Sequence, residues 1–111
     1  MASLPACTLM VTAEIDTSVE DEWNKWYDEV HLPDALACPG VLAGRRYCTA
    51  KPVSQTDHGA KSTTATRTYL ALYELASPEA LDTPEFQKMR GWYQFAPHIK
   101  SQTCVYVARE A

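Results

Sequence analysis

The sequence predicts an α+β fold with elements in the order strand, helix, strand, strand, helix, strand. One four-stranded antiparallel sheet with both helices on a single face satisfies that order, because each crossover through a helix returns the chain to the same side. Three observations carry this expectation: an amphipathic helix with its stop signal and a following strand in residues 18–47, period-two alternation at 7–15, 67–75 and 102–109, and two Ser/Thr-Pro-Glu helix openings before the last strand.

In residues 7–15, Cys7, Leu9, Val11, Ala13 and Ile15 point one way, and the semi-polar set Thr8, Met10, Thr12 and Glu14 points the other, toward a cavity or an interface. In the helix that follows, Trp23, Trp26, Tyr27 and Val30 recur at three- and four-residue spacings, while Glu22, Asn24, Lys25, Asp28 and Glu29 take the wet side. Thr17 or Ser18 can cap its start, each with an acid three residues on. Pro33 and then Pro39-Gly40 mark its end, so the chain is expected to leave the helix within about a turn of His31.

Residues 41–50 form the second strand, with Val41, Ala43, Arg45 and Tyr47 on one face and Leu42, Gly44, Arg46 and Cys48 on the other. A bulge or close approach at Gly44 would change this register, so either Arg45 or Arg46 points away from the helices. Residues 51–66 contain almost nothing apolar and read as a long connection that turns at Asp57-His58-Gly59. On the third strand, residues 67–75, Tyr69, Ala71, Tyr73 and Leu75 share a face, with the two tyrosines roughly 13 Å apart. They are placed to floor a pocket or to pack against a partner subunit.

Ser77-Pro78-Glu79 and Thr83-Pro84-Glu85 each combine a capping hydroxyl, a proline at the first helical position and an acid in the first turn. A short turn at 78–82 and a helix from 83 to about 90, stopped at Gly91, follow. The aromatic segment 92–100 is expected to be a partly helical arm over the sheet or another subunit, and residues 102–109 the last strand.

At 111 residues, the whole chain 1–111 is expected to be one domain, near the size at which partner surface adds useful burial. Apolar content of 46% with 22% charged residues describes a folded protein. A net charge of −4, with ten scattered Lys and Arg, argues against a nucleic-acid partner. Cys7, Cys38, Cys48 and Cys104 form no close pair of the kind metal sites use, three of them lie in or beside apolar stretches, and a reducing, cytoplasmic setting is expected. No run approaches the roughly eighteen apolar residues of a membrane span, and the N-terminal stretch does not read as a signal peptide.

With helices on one sheet face, Tyr69, Tyr73, Met10, Ala71 and Tyr47 make the other too apolar for bulk water. A second copy of the chain is the expected cover, giving a homodimer.

Of the three histidines, His31 is the best placed for chemistry, four residues after Tyr27 on one helix face. Imidazole titrates near neutrality and serves as base or acid; the alternative is a helix-end residue bonded to a free carbonyl. Asp34 is a candidate to orient the ring. Arg45 or Arg46 is suited to hold a carboxylate or developing oxyanion, the alternative being an ion pair with Glu14 or Glu74. Tyr27, Tyr47, Tyr69 and Tyr73 are candidates to hydrogen-bond a substrate, and Trp92, Tyr93 and His98 to form a lid or rim. The sequence has no Gly-rich phosphate loop, HExxH, CxxC or nucleophile elbow. What remains is a site without metal or cofactor that moves protons on a small hydrophobic, enolisable substrate.

The element order, together with WNKWYDEVHLPDALACPGVLAGRRY and YLALYELASPEAL, resembles the dimeric α/β-barrel proteins and, within them, the ethyl tert-butyl ether degradation-like (EthD-like) branch. The likeness spans nearly the whole chain in element order, and EVHLPDAL followed by PGVLAGRRY is its most specific part. It implies a ferredoxin-like subunit, a barrel formed by two copies, and a cavity between sheet and helices, with His31 matching the histidine near the end of the first helix. The chain departs from the plant polyketide cyclases of this fold in carrying Tyr69 and Tyr73, and no histidine, on the third strand, which weakens a His-His or metal-assisted scheme. The expected function is a cofactor-independent lyase or cyclase in which His31 transfers a proton next to a carbonyl, promoting cyclisation, decarboxylation or elimination in an aromatic or polyketide-like compound. The alternatives are a cofactor-free monooxygenase of phenols or quinols, a haem- or small-ligand-binding dimer with His31 as axial ligand, and a structural dimer whose cavity is filled by Trp26, Tyr69 and Tyr73.

Overall fold

The computed structural model describes residues 4–50, 55–57, 60–62 and 68–110. In chain order these form β1 (Cys7–Ile15), a 3₁₀ turn (Thr17–Val19), α1 (Glu20–Trp26), a π-helical turn (Tyr27–His31), α2 (Leu32–Leu36), β2 (Val41–Cys48), β3 (Gln55–Asp57), β4 (Ala60–Ser62) and β5 (Thr68–Leu75). A second 3₁₀ segment (Pro78–Asp82), α3 (Pro84–Met89), a third 3₁₀ segment (Tyr93–His98) and β6 (Ile99–Val107) complete the chain. Four strands pair antiparallel, as the sequence pattern predicts, in the spatial order β2-β5-β1-β6, which is the ferredoxin-like arrangement that the resemblance implies.

The barrel is corrected. β2 and β6 are the two edges of an open sheet and do not meet. Closure requires tilted strands with a consistent stagger around a full ring, and four strands with two free edges do not supply it.

The first helix is also longer than its proline suggests. α1, the π turn and α2 run on without a break to Leu36. A proline ring clashes with the carbonyl four residues back, and a π turn, in which Leu32 N–H bonds the Tyr27 carbonyl, widens the helix just where Pro33 follows. The same turn explains which side chains face the sheet. Trp23, Tyr27, His31 and Ala35 recur every four residues, a spacing that drifts about 40° per step on an ideal helix. The wider turn absorbs the drift, leaving these residues 0, 2, 8 and 1% exposed. Val30, expected inward, is rotated out and is 46% exposed. At the helix start the cap is Asp16, whose carboxylate accepts the Ser18 N–H at 2.9 Å, in place of Thr17 or Ser18.

Register corrects the assignment of sheet faces. Leu9 aligns with Tyr73, Val11 with Ala71 and Ala13 with Tyr69, so these tyrosines look toward the helices. Met10 aligns with Leu72 and shares the outer face with Leu70, Arg45 and Tyr47. The β2–β5 register shifts between Val41 and Ala43, one residue before the glycine expected to mark an irregularity. Downstream of that bulge Gly44 and Arg46 stand on the helix side.

Within residues 51–66 the expected connection contains a two-stranded pairing of β3 with β4. These strands carry no apolar alternation, so periodicity does not reveal them. His58, with the turn placed at Asp57-His58-Gly59, lies outside the described residues. The second helix matches its expected cap, with the Thr83 hydroxyl accepting Phe86 N–H at 3.1 Å, and Gly91 takes a positive φ of 119° at its end. β6 begins at Ile99, opposite Ile15, three residues before the predicted start. Among the described residues no helix is long and apolar enough to cross a membrane.

Candidate functional site

A cavity of about 310 Å³ opens between the β1–β6 side of the sheet and the helical layer. Leu9 and Val11 floor it, Leu81, Phe86 and Met89 wall it, and Trp92 closes one side. His31, Tyr27, Tyr73, Arg90, Ser101 and Thr103 supply the polar part of the lining, the last three as exposed residues.

His31 arrives at the last position of the π turn. Its ring stacks on Trp26 with centroids 4.6 Å apart and planes 18° apart, and meets the edge of Tyr27 at 4.8 Å and Trp92 at 5.6 Å. Burial among these rings disfavours the imidazolium and pulls the pKa down to about 4; Arg46 pushes the same way, and the Asp34 carboxylate opposes both. The ring is therefore neutral at pH 7, with one N–H and one lone pair. Among the described residues no side chain hydrogen-bonds to it.

The hydroxyls of Tyr27 and Tyr73 lie 3.0 Å apart, brought together by the π turn on one side and β5 on the other. Burial raises both phenols, Tyr73 well beyond the ordinary tyrosine range, so both remain protonated. Two hydroxyls that share one hydrogen bond keep a second O–H free to donate onward. Gly44 permits this placement: a Cβ there would stand 2.6 Å from the Tyr73 ring and 2.9 Å from the Leu36 side chain.

Arg46, and not Arg45, is the arginine on the helix side. It donates to Asp28 at 2.6 Å and to Asn24 at 2.8 Å, while its guanidinium lies 4.1 Å from the Tyr27 ring centroid and 4.9 Å from that of Trp23. Asn24 in turn donates to the Tyr69 hydroxyl at 3.0 Å, and Tyr69 donates to the Glu20 carboxylate. Arg46 is thus locked behind the Tyr27 ring and lies outside the cavity lining.

Several predicted site residues stand elsewhere. Arg45 and Tyr47 face outward, the guanidinium 5.9 Å from the Tyr47 ring, because the bulge shifts them there. Tyr69 lines a much smaller void with Trp23 and Arg46. Tyr93 adopts a left-handed φ of 52°, is 70% exposed, and stacks on Trp26 outside the cavity. His98 sits at the far end of β1, with Nδ1 3.8 Å from the Asp16 carboxylate. Asp34 is exposed on α2 and acts on His31 only through its charge. Trp92 does line the cavity, its Nε1 donating to Ser101 Oγ at 3.0 Å.

Sequence reasoning missed Arg90, Ser101 and Thr103 in the lining, and the bridging role of Glu20 and Asn24. The second has a signal: Glu20, Asn24 and Asp28 recur every four residues beside the buried stripe. Among the described residues no three His, Cys, Asp or Glu side chains converge as a metal site.

The structure is similar to that of HapK from Hahella chejuensis, with a TM-score of 0.60 and 13% identity over 95% of this chain and 94% of that one. It is similar to an ethyl tert-butyl ether d (EthD) family protein from Bacillus halodurans C-125, with a TM-score of 0.59 and 10% identity over 93% and 99% of the two chains. It is also similar to SnoaB, a cofactor-independent oxygenase from Streptomyces nogalater, with a TM-score of 0.57 and 11% identity over 95% and 94%. Such likenesses share the fold. None of the curated proteins matches the sequence. Residues 6–103 match the family model described as Domain of unknown function (DUF4286), and the chain belongs to that family.

Proposed function

We propose that this chain is an oxygenase that acts without an added cofactor on a phenol or quinol of aromatic or polyketide-like type, in preference to a lyase or cyclase. The observation that carries this is the convergence of a neutral His31 with the Tyr27–Tyr73 hydroxyl pair in one apolar cavity. At a pKa of about 4 only about one His31 ring in a thousand is doubly protonated at pH 7, so the ring enters the reaction as a hydrogen-bond acceptor, a role that serves a lyase and an oxygenase alike. The neutral ring offers a lone pair to a phenolic O–H, and the tyrosine pair offers a donor to the oxyanion that forms. SnoaB, which shares the fold, is a cofactor-independent oxygenase, and this supports the class.

1-Naphthol is the simplest substrate of this class. The phenolic proton moves toward His31, C4 bonds to dioxygen, and loss of the C4 hydrogen with cleavage of the O–O bond releases water and leaves 1,4-naphthoquinone. The substrate supplies all four electrons. His31 moves the proton, Tyr27 and Tyr73 hold the oxyanion, and Trp92 helps seal the site from water.

The fold likeness also favours the EthD-like branch. Half-buried Met10, Leu70 and Leu72 with exposed Tyr47 on the outer face support a homodimer, which sedimentation equilibrium tests. For the reaction, oxygen uptake on a panel of naphthols and anthrones, without added flavin or metal, is expected for the wild type and reduced at least tenfold by His31→Ala and Tyr73→Phe. Absence of uptake across the panel, or uptake unchanged in both variants, overturns the proposal.

A further inference from the structure

We infer that Arg90 selects substrates that carry a carboxylate on the aromatic body; this rests on the cavity being the substrate site. Arg90 ends α3, its N–H bonding the Phe86 carbonyl at 3.1 Å, and the chain then turns away through Gly91 at a φ of 119°. Arg90, an exposed residue, lines the cavity beside Gly91 and is the one permanently charged residue in the lining. No carboxylate lines the cavity, and among the described residues none lies within ion-pair distance of this guanidinium. Arg46 is the contrast: the chain neutralises that cation with Asp28 and hydrogen-bonds it to Asn24.

In a chain of net charge −4, with 14 acids against 10 Lys and Arg, Arg90 brings a positive group to an apolar cavity that no acid lines. Five N–H donors in a planar fork match a carboxylate through two parallel hydrogen bonds, whereas a neutral phenol offers no such partner. The apolar walls hold the ring system and the Tyr27–Tyr73 pair takes the phenolic oxygen. An aromatic hydroxy acid satisfies all three, with its charge at the rim where Arg90 keeps contact with water.

Calorimetric titration at pH 7.5 with 6-hydroxy-2-naphthoate and with its methyl ester tests this on the full chain. Wild type is expected to bind the acid about tenfold or more tightly than the ester. Arg90→Gln should lose that preference while keeping its affinity for the ester, and Arg90→Lys should recover part of it. Thr103→Phe, at an exposed position that lines the cavity, should weaken both compounds alike. If Arg90→Gln keeps the preference while Thr103→Phe blocks both compounds, the role of Arg90 falls and the cavity stands. If neither compound binds wild type, or Thr103→Phe changes nothing, the cavity as substrate site falls and the role of Arg90 with it.

Discussion

The imidazole of His31 lies nearly parallel to the indole of Trp26, 18° between planes and 4.6 Å between centroids. Packed there the ring loses its contact with water, and this desolvation lowers its pKa to about 4 from 6.5. Between those values the unfolded chain binds a proton that the native chain refuses. Stability is therefore full above about pH 6.5, falls as pH drops, and stops falling on this account below about pH 4. Urea denaturation at pH 7.5 and 4.5 is expected to show about 2 kcal/mol more acid sensitivity in wild type than in His31→Gln, after allowance for partial solvent screening. Equal slopes in the two proteins would show that the ring is not held neutral.

Tyr27 and Tyr73 satisfy one another at 3.0 Å. Tyr73→Phe leaves a buried phenol without its partner and is expected to cost about 1–2 kcal/mol, with Tyr27→Phe similar and the double variant costing less than the sum. On oxygen uptake, the same substitution removes an oxyanion donor and should lower kcat by about a hundredfold with little change in KM. A loss of stability with kcat unchanged would make the pair structural.

The alternation of β1, β5 and β6 and the Thr83 cap of α3 were legible, since period and caps are local properties, whereas Ser77 precedes its 3₁₀ segment without a side-chain cap bond. The face of β2 was not. One extra residue at Leu42 inverts the inward and outward sets, and only pairing with β5 reveals which of Arg45 and Arg46 turns in. Pro33 misled in another way: a proline ends an α-helix but is carried where a π turn precedes it, and the four-residue recurrence of Trp23, Tyr27, His31 and Ala35 was the available sign. His31, Tyr27, Tyr73 and Trp92 were picked out and do meet around one cavity. Tyr93 and His98 share their aromatic segment, but a left-handed backbone at Tyr93 and the contact with Asp16 turn them elsewhere.

Arg46 bridges Asp28 and Asn24 while lying against the rings of Tyr27 and Trp23. An ammonium has no planar fork to reach both partners and stack at once, so Arg46→Lys is expected to lose about 1–2 kcal/mol by chemical denaturation. Because this side chain stands behind Tyr27 and outside the lining, kcat should change less than threefold under conditions where the variant is fully folded. A hundredfold fall in kcat at full folding would place the guanidinium in direct contact with substrate.

Gly44 on β2 sits between Leu36 of α2 and Tyr73 of β5. A methyl group there would meet the Tyr73 ring at 2.6 Å and Leu36 at 2.9 Å, distances that side chains do not tolerate without moving. The edge strand is held to β5 by its ladder, and Leu36 is tied into the helix, so the Tyr73 ring has to yield. Displacing it draws its hydroxyl away from Tyr27. Gly44→Ala is expected to destabilise by about 1–3 kcal/mol as an overpacked contact, and to lower oxygen uptake as Tyr73→Phe does although no polar group has been removed. Combining Gly44→Ala with Leu36→Ala frees space on one side only. Stability should therefore stay low while uptake is not restored, because the closer clash, with Tyr73, persists. Recovery of uptake in that double variant would assign the effect to Leu36 and α2 and not to the tyrosine pair.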